Sequence, residues 1–352
     1  MPTSTRLATV VGIAQREKLY APLKILAVLR TLGALGVDEA SLLAGTGLGS
    51  AEVANAQTRT SVMQYLAVCR NAARLSPDPA WAVAVGSNMH LTAYGMYGYV
   101  LACADTLRRA TEMATRYHRL ATPVMPLRLV EDEARAAWIF PGIGGADLPD
   151  LDESLFRSLL EIQVAVHVTL TRDVMGAWCA PTQVRFALPR PAHASALESS
   201  LECAVEFGQP QTELHYPRAW LDRPTQFANP ITAQQVSATC ERLLEEQKWG
   251  CGLTRRVYQE LMRTPGRFPD IDEVAQLLGM ATRTLRRKLD EEGASYSGLL
   301  TSVRHALAID YLSTSLLDVE DIAAALGFSE VAGFRHAFKR WTGKTPSEYR
   351  QI

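Results

Sequence analysis

Three arginines, Arg283, Arg286 and Arg287, stand at a spacing that lets one helix present them together. Leu285 and Leu289, four residues apart, supply the apolar stripe that turns the arginines outward. A guanidinium offers five donors in a planar fork, which fits paired acceptors such as phosphate oxygens or the O6 and N7 edge of guanine. A second basic face follows about 49 residues later. There Phe334, Ala337, Phe338 and Trp341 make the apolar stripe and leave Ala332, Arg335, His336 and Lys339 outward. Residues 281–288 contain four basic side chains and no acid, and residues 331–347 contain Arg335, Lys339, Arg340 and Lys344, again with no acid. Yet the block from Cys251 onward holds 14 basic and 13 acidic residues, so its charge is separated by face rather than in excess.

The elements that must position these faces repeat. Asp270-Ile271-Asp272-Glu273-Val274-Ala275 and Leu278-Gly279-Met280 recur 48 residues later as Asp318-Val319-Glu320-Asp321-Ile322-Ala323 and Leu326-Gly327-Phe328. Each copy reads as a short helix with acids in its first turn, where the helix dipole favours them. Each is closed by a glycine able to take positive φ and followed at once by another helix. That is the plan of a helix-turn-helix. A helix predicted over residues 297–313, with Leu300, Val303, Leu307 and Tyr311 on its apolar face, joins the copies. At 1.5 Å per residue it spans roughly 25 Å. With its flanking turns it can set two recognition helices about one DNA turn, some 34 Å, apart.

At these residues a family resemblance emerges. Gly327-Phe328-Ser329, then Phe334 through Gly343, Pro346-Ser347 and Tyr349-Arg350 resemble the C-terminal signature of the AraC/XylS family of bacterial transcription regulators, over about 100 residues. The resemblance implies two helix-turn-helix units that bind double-stranded promoter DNA and usually activate transcription by contacting RNA polymerase. Repression is the alternative, since the sign depends on where the site lies relative to the promoter. Carried over by position, Arg283, Arg286 and Arg287 face the major groove from the first recognition helix and Arg335 and His336 from the second. Thr282 and Lys339 fall at flanking positions that touch phosphate. The chain departs from the family where the second recognition helix begins with Val331-Ala332-Gly333, which offer no side-chain hydrogen bond to a base. Copy one is therefore expected to do most of the base reading.

Ahead of this block the pattern mixes helices with extended segments. Helices are predicted over residues 20–35, 38–44, 61–73, 107–120 and 152–175, a hairpin over 123–141, and strands over 182–188 and 214–216. That order suits an α+β domain, followed by an all-α C-terminal domain. Turn signals at Arg223-Pro224 and Asn229-Pro230 mark the junction. The expected division is an N-terminal domain over 1–225, a linker helix region over 226–250 and a DNA-binding domain over 251–352. Ser76 to Ala80, the run Tyr94-Gly95-Met96-Tyr97-Gly98-Tyr99, Asp105 to Ala110 and Arg116 to Leu120 are similar to the arabinose-binding-like domain of one branch of the family. For the front domain this implies effector sensing, dimerisation or both. Tyr94, Tyr97, Tyr117 and Trp138 are candidates to line a pocket for a small-molecule effector, although aromatic residues equally make ordinary core.

Other chemistries find little support. Gly45-Thr46-Gly47-Leu48-Gly49 and Gly142 to Gly145 lack the Lys-Ser/Thr and the strand-to-helix context of a phosphate loop. His90, His118, His167, His193 and His215 have no partner at zinc-ligand spacing, so neither a metal nor a cofactor is expected. No convergent acids or nucleophile point to catalysis. Cys69, Cys103, Cys179, Cys203, Cys240 and Cys251 include no C-x-x-C pair and read as reduced, inert thiols. The apolar stretch Leu7 to Ala14 is followed at once by Gln15-Arg16-Glu17-Lys18, which argues against an export signal. No apolar run approaches the roughly 20 residues of a membrane span. The expectation is a cytoplasmic, non-enzymatic regulator. A net charge of −1 over 352 residues leaves any attraction to nucleic acid local to the two basic faces. An enzyme carrying a helix-turn-helix, or a nucleoid protein binding without sequence preference, are the competing readings.

Overall fold

The computed structural model describes residues 15–126, 128–146, 148–248, 252–263, 266–315 and 317–350. It divides into two compact units, Met1–Ala233 and Gln234–Ile352, with the boundary inside the helix Pro230–Lys248. The expectations that rested on Leu7 to Ala14, Leu127, Gly250 and Cys251 lie outside the described residues.

The first unit is built around the helix Glu153–Met175, whose side chains from Leu155 through Leu170 are buried almost without a break. Asp152 starts it by accepting a hydrogen bond from the Leu155 amide at 2.8 Å. Such a helix, buried on nearly every face, needs neighbours all round. The helix Trp81–Ser87 supplies the closest of them, and Gly86 is the reason it can. A Cβ there would lie 2.5 Å from the Ile162 carbonyl oxygen and 2.6 Å from the Ala165 Cβ. Helices Leu23–Ala34, Val62–Leu75, Met96–Ala102 and Leu107–Arg116 complete the helical layer.

A five-stranded sheet, ordered β1-β2-β5-β3-β4, covers another side. Its strands are β1 (Arg128–Glu131), β2 (Arg135–Phe140), β3 (Gln183–Arg185), β4 (Ala204–Glu206) and β5 (Thr212–Pro217). The predicted hairpin is β1–β2, and Asp132 fixes its turn by accepting from the Ala134 and Arg135 amides at 2.8 Å. All pairings are antiparallel except β3 with β4. Trp138 and Phe140, two residues apart on β2, share one face and set their rings edge-on to His167, each at 5.0 Å. That contact seats the sheet on the helix Glu153–Met175.

The mixed α/β character was predicted, and five elements in it were not. Helices Ser50–Ala54, Trp81–Ser87, Met96–Ala102 and Ala194–Leu201 and strand β4 are all short. Trp81–Ser87 is buried on most sides, so it shows no amphipathic period. The predicted helix over 107–120 ends as an α-helix at Arg116 and continues as a 3-10 turn, His118–Ala121.

The second unit is helical throughout its described residues. Its core gathers around the helix Tyr296–Thr314, which gives Leu299, Val303 and four further side chains, and takes Val274, Leu285, Ile322, Phe334 and Phe338 from the shorter helices, all of these named residues fully buried.

Candidate nucleic-acid interface and sensor cavity

The helix Ile271–Leu277 begins at Asp270, whose carboxylate accepts from the Asp272 and Glu273 amides at 2.9 Å, while Glu273 reaches back to the Asp270 amide at 2.8 Å. It ends at Gly279, with φ +68°, where the Met280 amide donates to Ala275 at 2.9 Å and the Gly279 amide to Gln276 at 3.0 Å. The second copy, Val319–Ala325, repeats the glycine turn bond for bond and keeps the aspartate cap, without the returning side-chain bond. Asp318 accepts from Asp321 at 2.7 Å, Gly327 has φ +70°, the Phe328 amide donates to Ala323 at 3.0 Å, and the Gly327 amide to Ala324 at 2.9 Å. Val274 and Ala275 are buried as Ile322 and Ala323 are. The sequence repeat is thus a repeat of hydrogen bonds, and the glycines supply the left-handed turn that brings the next helix back across the first.

Recognition helix one is Thr282–Glu291 and recognition helix two is Val331–Thr342. Leu285 and Leu289 point into the core of the first, Phe334 and Phe338 into that of the second. The turn of copy two is one residue longer, which is why the core pairs match at an offset of 49 while the preceding helices match at 48. The opposite faces carry the expected basic side chains. Arg283, Arg286 and Arg287 are exposed, as are Arg335, His336 and Lys339. Among the described residues Arg283, Arg286, Arg335 and Lys339 form no ion pair. Arg287 is different, since its guanidinium pairs with Glu291 one turn on. Thr282 is also engaged, its hydroxyl donating to Asp272 across the turn. Val331 is half-buried, and Ala332 and Gly333 are exposed without a polar side-chain atom.

The joining helix, Tyr296–Thr314, is 19 residues long, about 28 Å at 1.5 Å per residue. One of its arginines does something the sequence did not reveal. Arg304 lies over the rings of Phe268 and Phe328, 5.5 and 5.0 Å from their centroids, and donates to the Gly327 carbonyl at 3.1 Å. Glu292, just past recognition helix one, accepts from the Leu253 and Thr254 amides at 3.0 and 2.8 Å and so starts the helix Leu253–Arg263. Burial opposes ionisation of Glu292, but the hydrogen bonds from Thr254 and Leu253 outweigh it and hold the carboxyl below its ordinary range.

In the first unit Tyr94, Tyr97 and Trp138 line one small cavity, of about 50 Å³. Tyr117 is buried and does not reach its wall. The sequence reading missed Lys24 and Gln163, and it gave no role to His118 or His167, all of which line the same cavity. The other histidines have carboxylate partners: His90 with Asp173, His193 with Glu161 and His215 with Glu213. Burial pushes the Cys69 thiol up to about 12, far from a reactive thiolate.

The arabinose-binding domain of AraC transcription regulators matches residues 36–225, and a helix-turn-helix domain matches residues 274–352. The chain belongs to the AraC family of transcription regulators. It is similar to the ornithine utilization regulator of Pseudomonas aeruginosa, at 33% identity over 328 residues, 92% of this chain and 94% of that one. It is similar too to an HTH-type transcriptional regulator of Mycobacterium tuberculosis, at 33% identity over 331 residues, 89% and 91% of the two chains. The crystal structure of the transcriptional regulator CdpR from P. aeruginosa matches with a TM-score of 0.49 and 22% identity, covering 94% of this chain and 98% of that one. This AraC-family protein is accordingly a DNA-binding transcription regulator and not an enzyme. Among the described residues, no helix is long and apolar enough to cross a membrane and no group of His, Cys, Asp or Glu is arranged to hold a metal.

Proposed function

We propose that this regulator reads two adjacent major grooves of a promoter with its two recognition helices and changes its DNA binding when a small-molecule effector enters the front domain. The front domain comprises residues 1–225, the linker region 226–250 and the reader 251–352. Arg283 and Arg286 read base edges. Arg287 joins them by exchanging Glu291 for the groove, Arg335 and His336 make the second-site contacts, and Thr282 and Lys339 hold phosphates. The observation that carries this is the duplicated turn, each copy presenting exposed arginines without an acid partner on the face opposite its core. The cavity lined by Tyr94, Tyr97 and Trp138 supports effector sensing, and Tyr117 is buried outside that lining. The effector acts by its differential affinity for two states of the protein. Activation proceeds through contact with RNA polymerase, and a second copy of the chain completes the DNA-bound form.

The test is to incubate the full protein with fragmented host DNA at moderate salt, with and without host metabolite extract, and to sequence what is retained. Enrichment of a few upstream regions sharing a motif that spans two successive major grooves is expected. Uniform retention in both conditions would replace this reading with that of a nucleoid protein.

A further inference from the structure

The cavity contains a buried ammonium without a counter-charge. Lys24 is 7% exposed, and its Nζ donates to the Thr122 carbonyl at 3.1 Å. The same nitrogen lies 5.4 and 5.7 Å from the ring centroids of Tyr94 and Tyr65. A carbonyl and two ring faces soften the loss of water, but none of them neutralises the charge. Among the described residues no carboxylate pairs with it. Glu161 and Asp173, acids of the helix Glu153–Met175, pair with His193 and His90 and do not line the cavity.

The other ionisable groups around the site are basic or weakly acidic. Helix Val62–Leu75 contributes Tyr65 and Cys69, the 3-10 turn Leu91–Tyr94 contributes Tyr94, His118–Ala121 contributes His118, and Glu153–Met175 contributes His167. Burial, reinforced by the Lys24 charge, holds His118 down to about 3 and His167 to about 4, so both rings are neutral at pH 7. Burial also brings Lys24 down to about 8. Three basic side chains therefore line one cavity, and its remaining wall includes Leu101, Leu107, Ala110, Val166, Leu170 and Val174.

We propose that this cavity binds a small organic monocarboxylate, its carboxylate pairing with Lys24 and its apolar body lying along the leucine and valine wall. The inference deepens the effector-sensing reading and rests on it. One ammonium matches one carboxylate, and a second anionic group would itself be buried without a partner. A cationic ligand would meet Lys24 with like charge. Gln163 and the two neutral imidazoles also line the wall, whereas the Tyr94 and Tyr97 hydroxyls already donate to Met89 Sδ and the Ala114 carbonyl.

The full-length protein is melted at pH 7 with butanoate, hexanoate, octanoate and phenylacetate, each compared with its own primary amide at equal concentration. At least one acid is expected to raise the Tm by several degrees while its amide shifts it by less than about one. Lys24→Met should remove that preference, and Ala110→Leu, which fills the cavity, should remove the stabilisation itself. A second measurement uses the wild type alone. Carboxylate affinity should fall towards tenfold per pH unit above about 8, as Lys24 discharges in the free protein, while amide affinity stays flat. Burial holds His118 and His167 far below this range and pushes Tyr65, Tyr94 and Cys69 above it.

Acids that never outperform their amides, a preference that survives Lys24→Met, or acid affinity that is flat with pH would overturn the proposal. If amides and acids stabilise alike and Ala110→Leu abolishes both, the cavity takes an effector that is not recognised as an anion. If neither class stabilises the wild type, effector sensing at this cavity falls as well.

Discussion

The two helix-turn-helix units of this regulator share the hydrogen bonds of their glycine turns and differ in much else. Both start at an aspartate cap and turn at a glycine near φ +70°. Their cores diverge, leucines in copy one against phenylalanines in copy two. Their outward faces diverge further, since copy one shows three arginines where copy two shows one, with a histidine and a lysine. Even the matched positions at the ends of the two recognition helices differ. Glu292 ties copy one to the helix Leu253–Arg263 by charge, whereas its counterpart Trp341 lies 6.3 Å from the Phe328 ring and 5.5 Å from His305. What the duplication keeps is therefore the backbone chemistry of the turn, while packing and surface are free to specialise.

The largest effect that could break this comparison is in the core. Phe334→Ala should cost about 3–5 kcal/mol and Leu285→Ala about 2–5, with the phenylalanine change the greater. The Phe334 ring also meets Phe328 and Phe338 at 5.6 and 5.8 Å. Urea denaturation of the second unit within the full chain measures both, and the reverse order would show that copy one is the better packed.

Next comes the division of labour in base reading. Arg286→Ala should lose roughly 1–3 kcal/mol of discrimination between selected and random DNA, and Arg335→Ala less than half of that. Equal loss on both kinds of DNA for Arg286→Ala would remove it from the base-reading set.

The turns themselves give a smaller contrast. Gly279→Ala should cost about 1–2 kcal/mol for a left-handed residue with a Cβ. Gly327→Ala should cost more, because its Cβ would lie 3.3 Å from the Arg304 guanidinium, whereas nothing stands within 4 Å at Gly279. Thermal unfolding of the paired variants tests it, and equal shifts would mean Arg304 simply moves aside.

Glu292 adds a pH dependence at the tie between copy one and the helix Leu253–Arg263. Its folded-state pKa is depressed below 4.5, so the stabilisation it gives is complete above that value and fades as pH falls through the folded pKa. The stability gap between wild type and Glu292→Gln should therefore shrink below about pH 4; a gap constant between pH 7 and 3 would contradict the assignment. Smallest of all, Lys339→Ala should weaken binding to every sequence by about 1 kcal/mol or less and lower the salt slope by about one.

The reader was legible in the sequence because its logic is local. Asp270, Gly279 and Leu285 lie within 16 positions of one another, so caps, turn and core stripe can be read from spacing alone. The faces carrying Arg283, Arg286, Arg335 and Lys339 followed from the same periodicity. The engagement of Thr282 with Asp272 and of Arg287 with Glu291 did not, since side-chain partners depend on rotamers that spacing leaves open. The cavity was less legible still. Lys24, Tyr94, His118, Trp138 and His167 come from five separate elements, and only the tertiary fold brings them to one wall. Lys24 gave one faint sign, a lone charge within an otherwise apolar helix turn. Tyr117 shows the converse, an aromatic well placed in sequence whose helix end turns it into the core.

Arg304 sits on two phenylalanines, one ahead of the first reading unit and one beyond the turn of the second, while holding the glycine carbonyl of that turn. Such a clamp fastens the joining helix to both units at once. A pair of reading heads so fastened is expected to act as one stiff die rather than as two stamps on a hinge. An operator for it should be a single word of fixed length, and lengthening the gap between its halves by even one base pair should spoil the impression.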